Sequence, residues 1–121
     1  MKVVRLSEIP KDPDILHGPI FTGPDVTRQD LFPESKEYSI KNINFAKGVR
    51  NKFHTHKNEQ ILIVSAGKGI CATETEERVV TEGDIIFFPA GEIHWHGAAQ
   101  DSEFSHIFVH KKDTELTQLE D

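Results

Sequence analysis

The sequence predicts an all-β chain closed into a sandwich or barrel. Short apolar runs rich in β-branched and aromatic residues recur along it, separated by Gly, Pro and acidic turns at regular spacing. No long stretch repeats its apolar residues with the 3.6-residue period of a helix. Small antiparallel barrels of this kind hold one ligand inside.

The elements follow in order. Pro10, Pro13, Pro19 and Pro24 fix the backbone and remove donors, so residues 1–24 read as an extended or irregular arm. The arm is expected to lie against its own domain or a neighbouring subunit. Val26–Phe32 reads as a first strand stopped by Pro33, and Tyr38–Ala46 as a second. The apolar alternation of the second slips at Lys41-Asn42, as a bulge would require. Phe53–His56 is short and extended, and Gln60–Ser65 is an apolar run ended by Ala66-Gly67. Lys68–Thr75 and Arg78–Thr81 flank a tight turn at Glu76-Glu77, a hairpin signal. Glu82-Gly83-Asp84 turns into Ile85–Phe88, which reads as a buried strand with Phe87 and Phe88 in the core. His94–Ala98 and Glu103–His110 complete the series, and residues 113–121 read as a frayed helical turn or a tail. The expected organisation is an arm (1–24), a barrel (25–112) and a C-terminal tail (113–121).

Composition narrows the function classes. A chain of 121 residues supports one domain with one core. Fourteen basic against twenty acidic residues give a net charge of −6, which disfavours a phosphate-tracking surface and so nucleic acid. No basic block exceeds Lys111-Lys112, and no apolar run approaches the roughly 18 residues of a membrane helix. The N-terminal residues lack the apolar core of a signal peptide, and Cys71 has no disulfide mate. The expectation is a soluble cytoplasmic protein. Cys71 reads as a small buried hydrophobe with no base placed beside it.

Seven histidines stand out, and four form two His-x-His pairs, His54/His56 and His94/His96. On a strand, residues i and i+2 share a face. If both faces turn inward, several imidazoles converge on one interior spot. Imidazole suits Zn, Cu, Fe and Ni, and Mn in mixed nitrogen–oxygen sites. His106 shares parity with Phe104, Phe108 and His110 on the last strand, while Trp95 faces away from the second pair. His110 is expected at the barrel mouth or surface, and His17 in the exposed arm. Glu74, Glu76 and Glu77 read as a solvated hairpin tip, and Gly67-Lys68-Gly69 lacks the context of a phosphate loop.

The spacing around these pairs is specific. Gly48 is followed by five residues, His54-Thr55-His56, three residues, Gln60, six residues and Gly67. Gly83 is followed by five residues, Pro89-Ala90-Gly91, two residues and His94. These resemble the two motifs of the cupin family over residues from about 20 to 110. The resemblance implies a double-stranded β-helix, or jelly-roll, barrel with a metal site inside. It implies His54, His56, Gln60 and His94 as ligands of one divalent transition metal ion. His54-Thr55-His56 with Gln60, His94-Trp95-His96-Gly97-Ala98 and Ser105-His106 are further similar to small single-domain cupins. Those are related to the manganese-dependent cupin hydroxynitrile lyases and to cupins associated with carboxymuconolactone decarboxylase-like proteins. Phe21-Thr22-Gly23, Val26 and Leu31-Phe32 resemble the N-terminal arm of that group. Manganese is therefore the first expectation, with Fe, Ni, Co or Zn as alternatives, and a homodimer is the implied assembly.

Gln60 stands where the family motif has Glu, Lys57 where the subgroup has Pro, and Ala98 where the longer motif ends in Asn. Glu59 is the alternative to Gln60, which shares strand parity with Leu62 and Val64. A neutral amide beside neutral imidazoles leaves the ion its full charge and makes it a stronger Lewis acid. His106 is the expected general base, since an ordinary histidine titrates near pH 6.5. His96 is either a second base or a packed pocket residue. The expected function is a metal-dependent lyase or dioxygenase acting on a small organic substrate. The competing reading is a non-catalytic binding or sensing barrel.

Overall fold

The computed structural model describes residues 1–14 and 18–121. His17 lies outside the described residues. Ten strands follow in order: β1 (Asp12–Pro13), β2 (Val26–Asp30), β3 (Tyr38–Phe45), β4 (His54–His56), β5 (Gln60–Thr73), β6 (Glu77–Thr81), β7 (Ile85–Phe88), β8 (His94–Ala98), β9 (Phe104–Lys111) and β10 (Leu116–Gln118). Short 3-10 turns at Leu6–Glu8 and Gly18–Ile20 are the helical elements. No helix among the described residues is long and apolar enough to cross a membrane.

β5 organises the rest. Its first half pairs with β9 and β7, and its second half with β8 and β6. The chain therefore curls into two connected layers, β1-β2-β3-β9-β5-β7 and β10-β4-β8-β5-β6, the jelly-roll barrel expected from sequence. Ala66-Gly67 does not end the strand, because the register against β9 shifts between Val64 and Ala66 and the strand runs on. The bulge reverses which parity faces inward: Gln60, Leu62 and Val64 are buried before it, Gly69 and Cys71 after it. Gly67 takes φ +73° there, and a Cβ would strike the Glu103 carbonyl.

The slip in β3 has a different cause from the one expected. Its register with β2 and β9 is continuous, with no bulge at Lys41-Asn42. Ile43 and Phe45 face the core, while Asn42 is buried on the outer face. There Asn42 Nδ2 and Asn44 Nδ2 donate to Gln29 Oε1 at 2.8 and 3.1 Å. Ser65 Oγ and Ser105 Oγ donate to Asn42 Oδ1 and Asn44 Oδ1, both at 2.6 Å. Gln29 Nε2 then donates to the Leu6 and Ile9 carbonyls at 3.0 and 2.9 Å. This polar ladder holds the described part of the arm on its own domain.

Two further expectations change. Ile85–Phe88 is not buried throughout: strand alternation turns Ile85 (71% exposed) and Phe87 (53%) to the outer face while Phe88 packs inside. Residues 116–118 form neither a helical turn nor a loose tail but the strand β10 against β4. The core gathers Ile43, Phe45, Leu62, Val64, Phe88, Phe104 and Phe108 around the barrel interior.

Candidate metal centre

Strand parity and register bring the histidines together. β4 turns His54 and His56 inward, with Thr55 between them half-buried. β8 meets β4 through the pair His54–His94, so His94 faces His54 directly. The ring centroids lie 4.4 Å apart for His54–His94 and 5.0 Å for His54–His56. All three are buried, and one ring nitrogen from each falls within 4.8 Å of the others. Gln60 opens β5 on the same inner face and is buried, whereas Glu59 is exposed.

Hydrogen bonding sets the tautomers. His54 Nδ1 lies 2.7 Å from the Lys52 carbonyl, and His94 Nδ1 lies 2.9 Å from the Glu92 carbonyl. A carbonyl only accepts, so each Nδ1 carries the proton and each Nε2 keeps its lone pair. His94 Nε2 and Gln60 Oε1 are buried with no hydrogen-bond partner among the described residues. Buried acceptors left bare are costly, and the close approach of the three imidazoles fits a cation. Phe88 stacks on His94 with centroids 3.8 Å apart. Burial, and next the nearby His54, push the His94 pKa down to about 4, so the ring is neutral and ready to ligate at pH 7.

A second group adjoins the first. His106, fully buried at the centre of β9, has Nε2 3.1 Å from His96 Nδ1. Asn51 fixes this pair. The His96 backbone N–H donates to Asn51 Oδ1 at 2.8 Å, which turns the Asn51 amide nitrogen toward the His96 ring, 3.2 Å from Nε2 and 3.4 Å from Nδ1. One ring of the His96–His106 pair donates to the other across their 3.1 Å contact. The near-neutral titration expected of His106 is not what the barrel gives: burial pushes its pKa down to about 3. His96 is held well below its ordinary value by burial and then by His106.

His54, His56 and Gln60 of the first group and His96 and His106 of the second line one inner cavity of about 50 Å³, walled by Ile43, Phe45 and Phe108. It continues past His56, His110 and Leu116 into an outer vestibule of about 350 Å³. His110 stands at this mouth, stacked on Phe108 at 4.6 Å. Trp95 faces away from the pair, as expected, under the Arg50 guanidinium at 4.5 Å. Cys71 is buried, and desolvation raises its thiol pKa to about 12, which leaves it inert as a nucleophile. Sequence reasoning missed Asn51, which has no periodic signal, and Asp14, a buried carboxylate of the arm that lines the cavity 3.9 Å from Arg28 Nη1.

Residues 42–110 match the cupin domain. This chain is a cupin. It is 38% identical over 97 residues to the (R)-mandelonitrile lyase of Granulicella tundricola, a match covering 76% of this chain and 72% of that protein. The fold resembles a cupin-like protein from Thermotoga maritima (TM-score 0.82, 28% identity, 97% of this chain and 90% of that one). It also resembles a polyketide cyclase from Streptomyces resistomycificus (TM-score 0.80, 17% identity, 100% and 88%), a likeness of fold alone. The cupin barrel carries a histidine triad able to hold a metal ion.

Two outcomes follow from this geometry. His54→Ala or His56→Ala should reduce bound divalent metal to near zero by plasma emission, while Gln60→Ala should weaken binding without abolishing it; full metal content in both histidine variants would refute the site. Separately, the unfolded chain takes up protons on these histidines below pH 6.5, whereas folded His106 resists protonation until about pH 3. Metal-free protein should therefore lose stability as pH falls through that window, by about 1.4 kcal/mol per pH unit per such group. Urea unfolding between pH 7 and pH 4 measures the slope, and His106→Asn should flatten it.

Proposed function

We propose that this cupin is a metal-dependent lyase that breaks a carbon–carbon bond in a small hydroxylated substrate, with cyanohydrins the first class to test. The observation that carries the reading is the His96–His106 pair lining the same cavity as His54, His56 and Gln60. The (R)-mandelonitrile lyase relative supports the substrate class.

In this reading His54, His56, His94 and Gln60 hold one divalent ion, manganese by preference over Fe, Co, Ni or Zn. When bound, such an ion supplies Lewis acidity toward a hydroxyl or carbonyl oxygen, undiminished by any ligand carboxylate. The protein residues do the rest. Phe45, Phe108 and Ile43 exclude bulk water from the inner cavity. Asn51 holds His96 in place, and the His96–His106 pair, neutral at pH 7, accepts the substrate hydroxyl proton. As the carbon–carbon bond breaks, its electron pair leaves with the cyanide carbon and the oxygen closes to a carbonyl. The pair returns its proton to the leaving group, so the products are a carbonyl compound and hydrogen cyanide. Its depressed basicity favours that return.

The assembly in this reading is a cytoplasmic homodimer. Among the described residues, the outer edges of β6 and β7 carry no strand partner. Val79, Ile85 and Phe87 are exposed there, around a groove of about 630 Å³. An open apolar edge is a template for another strand. The same edge on a second copy is self-complementary about a two-fold axis.

His106→Ala should keep its metal and cut kcat on mandelonitrile by about 10²–10⁴-fold. Turnover that survives His106→Ala and vanishes in His96→Ala would move the base to His96. Tight cyanohydrin or hydroxyketone binding with no turnover in the Mn, Fe, Co, Ni or Zn forms would replace the enzyme reading with a binding module. Sedimentation at micromolar concentration should give twice the 13.7 kDa chain mass, and Ile85→Lys/Phe87→Lys should give a monomer. A wild-type monomer would refute the assembly.

A further inference from the structure

We propose that the C-terminal segment 113–120 is a strap that positions the metal-ligating strand β4, with Glu120 as its latch. The inference rests on the metal reading above and adds a positioning residue remote in sequence from every ligand.

β4 needs outside support. It is three residues long, and it meets β8 through the single pair His54–His94. The Gly91 amide adds one bond to the His56 carbonyl at 2.9 Å. The strap supplies the other flank along the whole strand, with Leu116, Thr117 and Gln118 opposite His56, Thr55 and His54. It is pinned at both ends. At the start, Lys57 N–H donates to the Glu115 carbonyl at 2.9 Å, and Asn58 N–H to Thr114 Oγ1 at 3.2 Å. Thr114 Oγ1 in turn donates to Asn58 Oδ1 at 2.9 Å. At the end, Leu119 N–H donates to the Phe53 carbonyl at 2.9 Å.

Glu120 closes this end with both carboxylate oxygens. Oε1 accepts the Phe53 N–H at 2.9 Å, one residue before His54. Oε2 accepts from Arg50 Nη2 at 2.8 Å. Arg50 is itself held from two sides: it donates to the Asn51 carbonyl at 2.9 Å and lies over Trp95, the residue between His94 and His96. The latch thus ties the backbone entering His54 to the strand that carries His94. These are charge-assisted bonds, stronger than neutral ones. The Phe53 amide and then the Arg50 guanidinium hold the Glu120 carboxyl below its usual range, so it stays ionised at neutral pH. Leu116 also walls both the inner cavity and the vestibule, so the segment that steadies β4 frames the entrance to the site.

Residues that orient metal ligands from outside the ligand set change affinity by about 10–100-fold when altered. The test measures Mn(II) affinity by competition with a fluorescent chelator for wild type, Glu120→Ala, Glu120→Gln, Glu120→Asp and Glu115→Gln. Glu120→Ala and Glu120→Gln should weaken Mn(II) binding about 10–100-fold. They should also speed amide exchange at His54–His56. Glu120→Asp should recover most of the affinity, and Glu115→Gln, whose part in the strap is a backbone carbonyl, should match wild type. Wild-type affinity in Glu120→Ala and Glu120→Gln would overturn the strap. Wild-type protein that binds no Mn(II), or binding unchanged by His56→Ala, would instead overturn the metal reading beneath it.

Discussion

Burying five imidazoles inside one small barrel penalises their charged forms, and much of the interior is arranged around that constraint. His54, His56, His94, His96 and His106 are all buried. An isolated buried imidazolium would forfeit its hydration, so burial drives the group toward its neutral form. Neutral imidazole has one donor and one acceptor nitrogen, and both need placing. The backbone carbonyls of Lys52 and Glu92 take the Nδ1 protons of His54 and His94. Asn51 bonds the His96 backbone and sets its amide against the His96 ring. Ring nitrogens of His54, His56 and His94 lie within 4.8 Å of one another, a cluster able to hold a cation. The stability question and the functional question thus have one answer in the same side chains.

Much of this was legible in the sequence because the strand period of two is a hard constraint. His54/His56 and His94/His96 each share a face by that period alone, and Gln60 sits in phase with Leu62 and Val64. The all-β character and most strand positions follow from the same pattern and from the Gly and Pro turns. What escaped depends on neighbours that are distant in sequence. Ser65-Ala66 carries no side-chain mark of the bulge that lets β5 serve both layers. Phe87 looks like core beside Phe88, but alternation along β7 turns it to the outer face, where it is exposed. β10 is exposed along its length, so no alternation announces it. The ordinary histidine titration expected of His106 is not met because complete burial penalises the charged ring.

The outer face of the barrel meets a polar version of the same problem. Asn42, Asn44 and Gln29 sit where apolar side chains would be simpler, yet each finds partners among Ser65, Ser105 and the carbonyls of Leu6 and Ile9. A satisfied network of this kind specifies a single arrangement, because any shift in register leaves buried groups unpaired. It lies on the back of β3 and β9, the strands that carry Ile43 and His106 on their inner faces. Register on the outside therefore fixes which side chains meet on the inside.

The barrel itself is permissive: a polyketide cyclase with 17% identity shares it, and fold alone does not select a reaction. What distinguishes this chain is a small set of inward positions and the elements that steady them. The strand β4, which carries His54 and His56, is too short to hold itself, and its support comes from opposite ends of the sequence. The arm lends backbone bonds at Thr22 to Arg50 and from Lys52 to Ile20, immediately before His54, and the C-terminal strand pairs along His54–His56. Both termini also wall the vestibule, through Ile20 from one side and Leu116 from the other. Geometry at the triad and access to it are consequently set by the same two segments. Variation in those segments can retune the site while the barrel core stays unchanged.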